Sequence, residues 1–103
     1  MSNIQISEEQ LDTVLKILQH NLTPDITVWV YGSRASGTAK LFSDLDLALE
    51  RNDGKAISEE QIVSLMDEFE ESNLPYKVDV MDYLNAKGIF KQNVDQQRIK
   101  LLY

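Results

Sequence analysis

From Asp44 to Leu49 the chain alternates residue by residue, with Leu45, Leu47 and Leu49 set between Asp44, Asp46 and Ala48. Successive side chains of a strand leave opposite faces, so the leucines share one face and both carboxylates the other. The leucine face packs the core, and this is how two acids can sit on a central strand at all. On such a strand the two aspartates lie with their Cα atoms about 6.5 Å apart, and unpaired they would repel and raise each other's pKa. A hard cation such as magnesium removes the conflict, because it takes carboxylate oxygens together with substrate phosphates.

Other elements assemble around this strand. Ile26-Thr27-Val28-Trp29-Val30-Tyr31 is dense in β-branched and aromatic residues and reads as a strand stopped by Gly32. Tyr76 to Met81 reads as a third. The capping boxes Ser7-Glu8-Glu9-Gln10 and Ser58-Glu59-Glu60-Gln61 open two amphipathic helices, one closing near His20 and the other near Ser72-Asn73. His20 reads as a solvated residue favoured by the helix dipole. Ser33 to Phe42 is loop-like, and Tyr83 to Tyr103 reads as helical, with a break open at Gly88. The order helix, strand, strand, helix, strand, helix predicts a small α/β sheet covered by helices.

Composition narrows the chemistry. A chain of 103 residues is expected to form a single domain over residues 1–103. No cysteine and one histidine leave no thiolate, no cysteine-type zinc site and no histidine cluster, so any metal must be held by oxygen. Ten basic against seventeen acidic residues give a net charge of −7, which disfavours direct contact with nucleic acid. Lys87, Lys91, Arg98 and Lys100 lean the other way, and a solvated helix face is their simplest reading. There is no apolar run near the ~20 residues of a membrane span, and Met1 to Gln5 lacks the layout of a signal peptide. A cytoplasmic protein without membrane partners is expected.

Gly32-Ser33, directly after a strand, offers backbone N–H groups and a hydroxyl to a phosphate, though alone such a pair more often marks a turn. A spacer of ten residues then leads to the Asp44-Asp46 strand, and later comes Asp79, flanked by Val78 and Val80. Were the two acidic strands neighbours, Asp79 would be a third carboxylate, sharing a metal or accepting a proton from an attacking hydroxyl, with Asp82 a weaker substitute. Ser43 stands where it can hydrogen-bond a ligand oxygen or cap a turn.

Taken together, Tyr31, Gly32, Ser33, Asp44, Leu45, Asp46 and Leu47, followed by Asp79, resemble the pattern of minimal nucleotidyltransferase domains in the DNA polymerase beta-like superfamily. The resemblance covers nearly the whole chain. It implies a palm-like mixed sheet flanked by helices, Mg2+ held by Asp44, Asp46 and Asp79, and transfer of a nucleoside monophosphate from a triphosphate such as ATP. Gly32, Ser33, Arg34 and Ser43 would serve the nucleotide. One position departs from the pattern: small prokaryotic members carry a second basic residue where this chain has Ser36, and Arg34 or Lys40 would have to substitute. Such small members typically stand beside a HEPN-domain ribonuclease toxin, which they neutralise as antitoxins by adenylylating it, so a hetero-oligomer and a protein hydroxyl acceptor, tyrosine first, are implied. Two rivals remain: an inactive module that neutralises its partner by covering it, and a small-molecule nucleotidyltransferase, which usually needs a further domain.

Overall fold

A computed structural model describes residues 4–103; Met1, Ser2 and Asn3, on which part of the expectation about the N-terminus rests, lie outside the described residues. The chain runs α1 (Glu8–Asn21), β1 (Ile26–Tyr31), α2 (Ser33–Ser36), β2 (Leu45–Arg51), α3 (Glu59–Glu71), β3 (Val78–Asp82), a 3-10 turn (Tyr83–Asn85), α4 (Gly88–Gln97) and β4 (Ile99–Leu101). Both expected capping serines act as such. Ser7 Oγ accepts from Gln10 N and Ser58 Oγ from Gln61 N, satisfying amide groups that the first turns leave without partners.

The strands lie in the order β3-β2-β1-β4. β1 is antiparallel to β2 and to β4, whereas β2 and β3 are parallel. A parallel pair needs a long crossover, and α3 supplies it. The sheet is therefore mixed, as the resemblance implied. Val28 and Val30 of β1 and Leu45, Leu47 and Leu49 of β2 are fully or almost fully buried, packed with Val14 and Leu18 of α1 and Leu65 and Phe69 of α3. Each such side chain contributes about 1.5–3 kcal/mol by leaving water. The opposite face carries Trp29, Tyr31, Asp46 and Asp79, with α4 across part of it.

The C-terminal third departs from expectation. In place of one helix to Tyr103, α4 ends at Gln97 and Ile99-Lys100-Leu101 forms β4 on the free edge of β1, pairing Val28 with Leu101 and Val30 with Ile99. A three-residue alternation is too short to announce a strand; the open edge of β1 makes it one. Ser33–Ser36, expected as loop, forms the short α2, closed by Gly37 at φ 83°. The third strand begins two residues later than Tyr76 and runs on to Asp82. Two of the basic residues near the C-terminus are engaged: Lys91 Nζ donates to Asp95 Oδ2 at 2.9 Å, and the Arg98 guanidinium stacks 4.1 Å above the Trp29 ring, while Lys87 and Lys100 are exposed.

Candidate nucleotidyl-transfer site

Parallel pairing of β2 with β3 sets Asp46 directly opposite Asp79, and antiparallel pairing sets Tyr31 opposite Asp46. One cross-strand row thus carries Tyr31, Asp46 and Asp79 on the face away from the core. Asp44 stands one residue before β2 and joins them: one carboxylate oxygen from each of Asp44, Asp46 and Asp79 lies within 4.8 Å of the others. Lys77 Nζ, 3.5 Å from Asp79 Oδ1, is a cation beside this cluster.

Close approach of like charges leaves its mark on titration. Burial, then the charges of Asp79 and Asp44, push the Asp46 carboxyl up to about 6, with Lys77 opposing. Burial, then the charges of Asp46 and Asp79, push the Tyr31 hydroxyl up to about 12, so it stays neutral. A divalent cation answers this charge surplus, and three oxygen donors at such spacing suit a hard ion.

Gly32 shows how tightly the turn is fitted. Its backbone stands at φ 75° and ψ −157°, a region essentially reserved for glycine, and a Cβ there would collide with Asp46 Oδ2. Glycine here makes room for the carboxylate as well as for any phosphate. The Gly32 amide donates to Gln97 Oε1 at 3.2 Å. Gln97, at the end of α4, and Phe90, whose ring meets Tyr31 edge-on at 5.8 Å, were missed from sequence. A polar residue ending a helix carries no local signal of a contact 65 positions away.

Arg34 is not where a phosphate contact requires it. It is 5% exposed, its guanidinium donates to the carbonyls of Gln5, Leu41 and Ser43, and it stacks 3.9 Å over the Tyr76 ring. With carbonyls satisfying its fork, it fastens the loop before β2 to the body of the protein. Ser43 caps that loop, its Oγ accepting from Lys40 N at 2.8 Å. Asp82 is buried, bound to the amides of Ile57 and Leu84, and is no alternate for Asp79. His20, exposed as expected, pairs with Glu68 at 2.7 Å.

Residues 12–103 match the family described as Polymerase beta, Nucleotidyltransferase. The chain is 41% identical to the probable protein adenylyltransferase MntA of Haemophilus influenzae, over 88% of this chain and 77% of that protein. It superposes on the crystal structure of a toxin-antitoxin with AMP-PNP with a TM-score of 0.69 at 25% identity, over 89% of this chain and 72% of that one. A point mutant of the toxin-antitoxin MntA-HpeT gives a TM-score of 0.68 at 25% identity, over 95% and 73%. A complex of tri-AMPylated Shewanella oneidensis HEPN toxin with MNT antitoxin shares the fold, with a TM-score of 0.65 at 20% identity, over 94% and 72%. An acidic row on a mixed sheet, a glycine turn fitted against it and a match across nine-tenths of the chain agree: the chain belongs to the polymerase beta nucleotidyltransferase family.

Proposed function

We propose that the chain is a protein adenylyltransferase that acts as an antitoxin, transferring AMP from ATP to a hydroxyl, tyrosine first, of a HEPN toxin. The observation that carries this reading is the convergence of Asp44, Asp46 and Asp79 beside Gly32, in a chain 41% identical to an adenylyltransferase.

Asp44, Asp46 and Asp79 would hold Mg2+, which when bound supplies charge neutralisation for the triphosphate and its leaving pyrophosphate. Ser33 would present its backbone and hydroxyl donors at the turn where the phosphates would lie, and Gly32, whose amide Gln97 holds, would let the backbone come close to them, orienting the α-phosphorus for in-line attack. Asp79 would take the proton from the attacking hydroxyl. The acceptor oxygen bonds to the α-phosphorus as the bond to the bridging oxygen of pyrophosphate breaks. With Arg34 turned inward and Ser36 in place of a basic residue, Lys77 is a cation at the acid row that would stand beside this chemistry. Localisation in the cytoplasm, where ATP and such a toxin meet, belongs to the same reading; no helix among the described residues is long and apolar enough to cross a membrane.

A second reading has one observation in its favour. The inward turn of Arg34 leaves the phosphate side of the loop without an arginine, as a partner-covering module that had lost catalysis would show. Intact mass separates the two. After incubation with MgATP the wild-type chain should add AMP to its toxin and abolish ribonuclease activity, while Asp44→Asn/Asp46→Asn should add none. Neutralisation without added mass would establish the covering module.

A further inference from the structure

The turn that leads into the site is built in an unusual way. Lys40 to Ser43 closes with Ser43 N donating to Lys40 O at 3.1 Å, and its central residues are Leu41 and Phe42. Central turn positions ordinarily take glycine, proline, asparagine, aspartate or serine. Here two large apolar side chains stand 72% and 68% exposed. A floppy loop would explain them, but this one is fastened from several directions. Buried Arg34 grips the carbonyls of Leu41 and Ser43, and Gln5 bonds both the amide and the carbonyl of Ala39, at 3.1 and 2.7 Å. The fold thus holds Leu41 and Phe42 rigidly in water, two residues from Asp44. From another element Phe90, 47% exposed, reaches the acid row through its contact with Tyr31, and Ile89, 76% exposed, precedes it on α4.

Rigid, exposed apolar residues next to a reactive centre are the makings of a protein contact, since ordering them costs little when a partner covers them. Charge chooses the partner. The chain carries −7, three of its carboxylates gather at this site, and a bound triphosphate would add more negative charge. A second copy of the chain would be repelled, whereas a face with basic side chains around an apolar patch would be attracted.

Resting on the adenylyltransferase reading, we propose that the Leu41–Phe42 turn, together with Ile89 and Phe90, is the docking rim that seats the acceptor protein, a folded partner presenting an apolar patch ringed by basic side chains beside its modified hydroxyl. The rim fixes the partner; the acids act on what it delivers.

The test is Leu41→Ser/Phe42→Ser, with Ile89→Ser as a second variant, each titrated with the HEPN toxin by calorimetry and assayed for AMP transfer. All three substitutions alter exposed side chains, so both variants should fold. The expected result is a toxin Kd at least ten-fold weaker and a toxin KM raised in parallel, with the MgATP-induced rise in Tm unchanged. Unchanged toxin affinity in both variants would overturn the proposal. So would loss of the MgATP response, which would give the turn to the nucleotide, or a wild-type dimer that the variant breaks, which would give it to a second copy. Because calorimetry needs no chemistry, wild-type binding without transfer, weakened by the variants, would support the rim while refuting the enzymatic reading.

Discussion

The two faces of β2 differ more than any two regions of the molecule, although they share one backbone. Leu45, Leu47 and Leu49 on one side are at most 1% exposed and belong to the core that also holds side chains of α1 and α3. On the other side Asp46 lies between Tyr31 and Asp79, a polar row that the fold leaves partly open. The core face gains its stability by excluding water. Its counterpart spends some of that stability to hold like charges together. Stability and chemistry are therefore separable on this strand, and substitutions on each face should fail in different ways.

The largest effect is expected where that separation is cleanest. Asp44→Asn/Asp46→Asn should lower AMP transfer about 1000-fold or more, about 4 kcal/mol at the transition state, with the fold intact by circular dichroism. Leu47→Ala, one residue along, should cost about 2–5 kcal/mol of unfolding free energy by leaving a cavity, while the molecules that remain folded keep their turnover. Urea denaturation and single-turnover labelling of the two variants decide the matter. If Leu47→Ala abolished transfer at temperatures where it stays folded, the faces would be coupled and the comparison would break.

Gly32→Ala tests the seam between the faces. The substitution strains a glycine-only backbone and drives a methyl group into the Asp46 carboxylate, so both stability and transfer should fall, stability by about 1–3 kcal/mol. Adding Asp46→Ala removes the collision but not the backbone strain. Partial recovery of stability in the double variant, measured by urea melts, would assign the remainder to φ; no recovery would mean the carboxylate was never the obstacle.

Charge crowding at Asp46 predicts a smaller effect with a definite sign. The native carboxyl keeps its proton to about pH 6, whereas the unfolded chain releases it near the ordinary 3.8. Hence, without divalent cation, the wild type should lose stability as pH rises from about 4 to 6, and Asp46→Asn should be spared that loss. Water reaches part of this group and screens it, so the variant's advantage at pH 7 should be about 1 kcal/mol, vanishing below about pH 4. Added Mg2+ should stabilise the wild type and not the variant. Parallel Tm curves for the two proteins across this range would remove the repulsion from the account.

Much of this was legible in the sequence because it is local. Alternation at Leu45–Leu49 and the serine caps depend on neighbours in the chain, and the structure places them as read. What the sequence withheld depends on partners far away. Arg34 resembled a phosphate ligand until Gln5, Leu41, Ser43 and Tyr76 surrounded it, and β4 exists because β1 has an edge to offer. Asp79 was readable as an acid, but its place opposite Asp46 comes from the parallel register that the α3 crossover imposes.

The smallest effect is expected furthest from either face, where α1 meets α3 at the surface. His20 Nδ1 lies 2.7 Å from Glu68 Oε1 and, with Asn21 Nδ2 at 3.1 Å, holds the Glu68 carboxyl below its ordinary range. His20 is three-quarters exposed, so its pair gains little over water, and Asn21 keeps Glu68 bonded when the imidazole is gone. His20→Ala should cost less than about 0.5 kcal/mol, a Tm change of no more than about 4 °C, and leave transfer untouched. Asn21→Ala should cost more, since its side-chain amide donates to Ile17 O as well as to Glu68 Oε1 and both bonds would be lost. A reversed order in thermal melts would mean that charge, rather than the buried contacts of Leu18, Leu65 and Phe69, closes the seam between the helices.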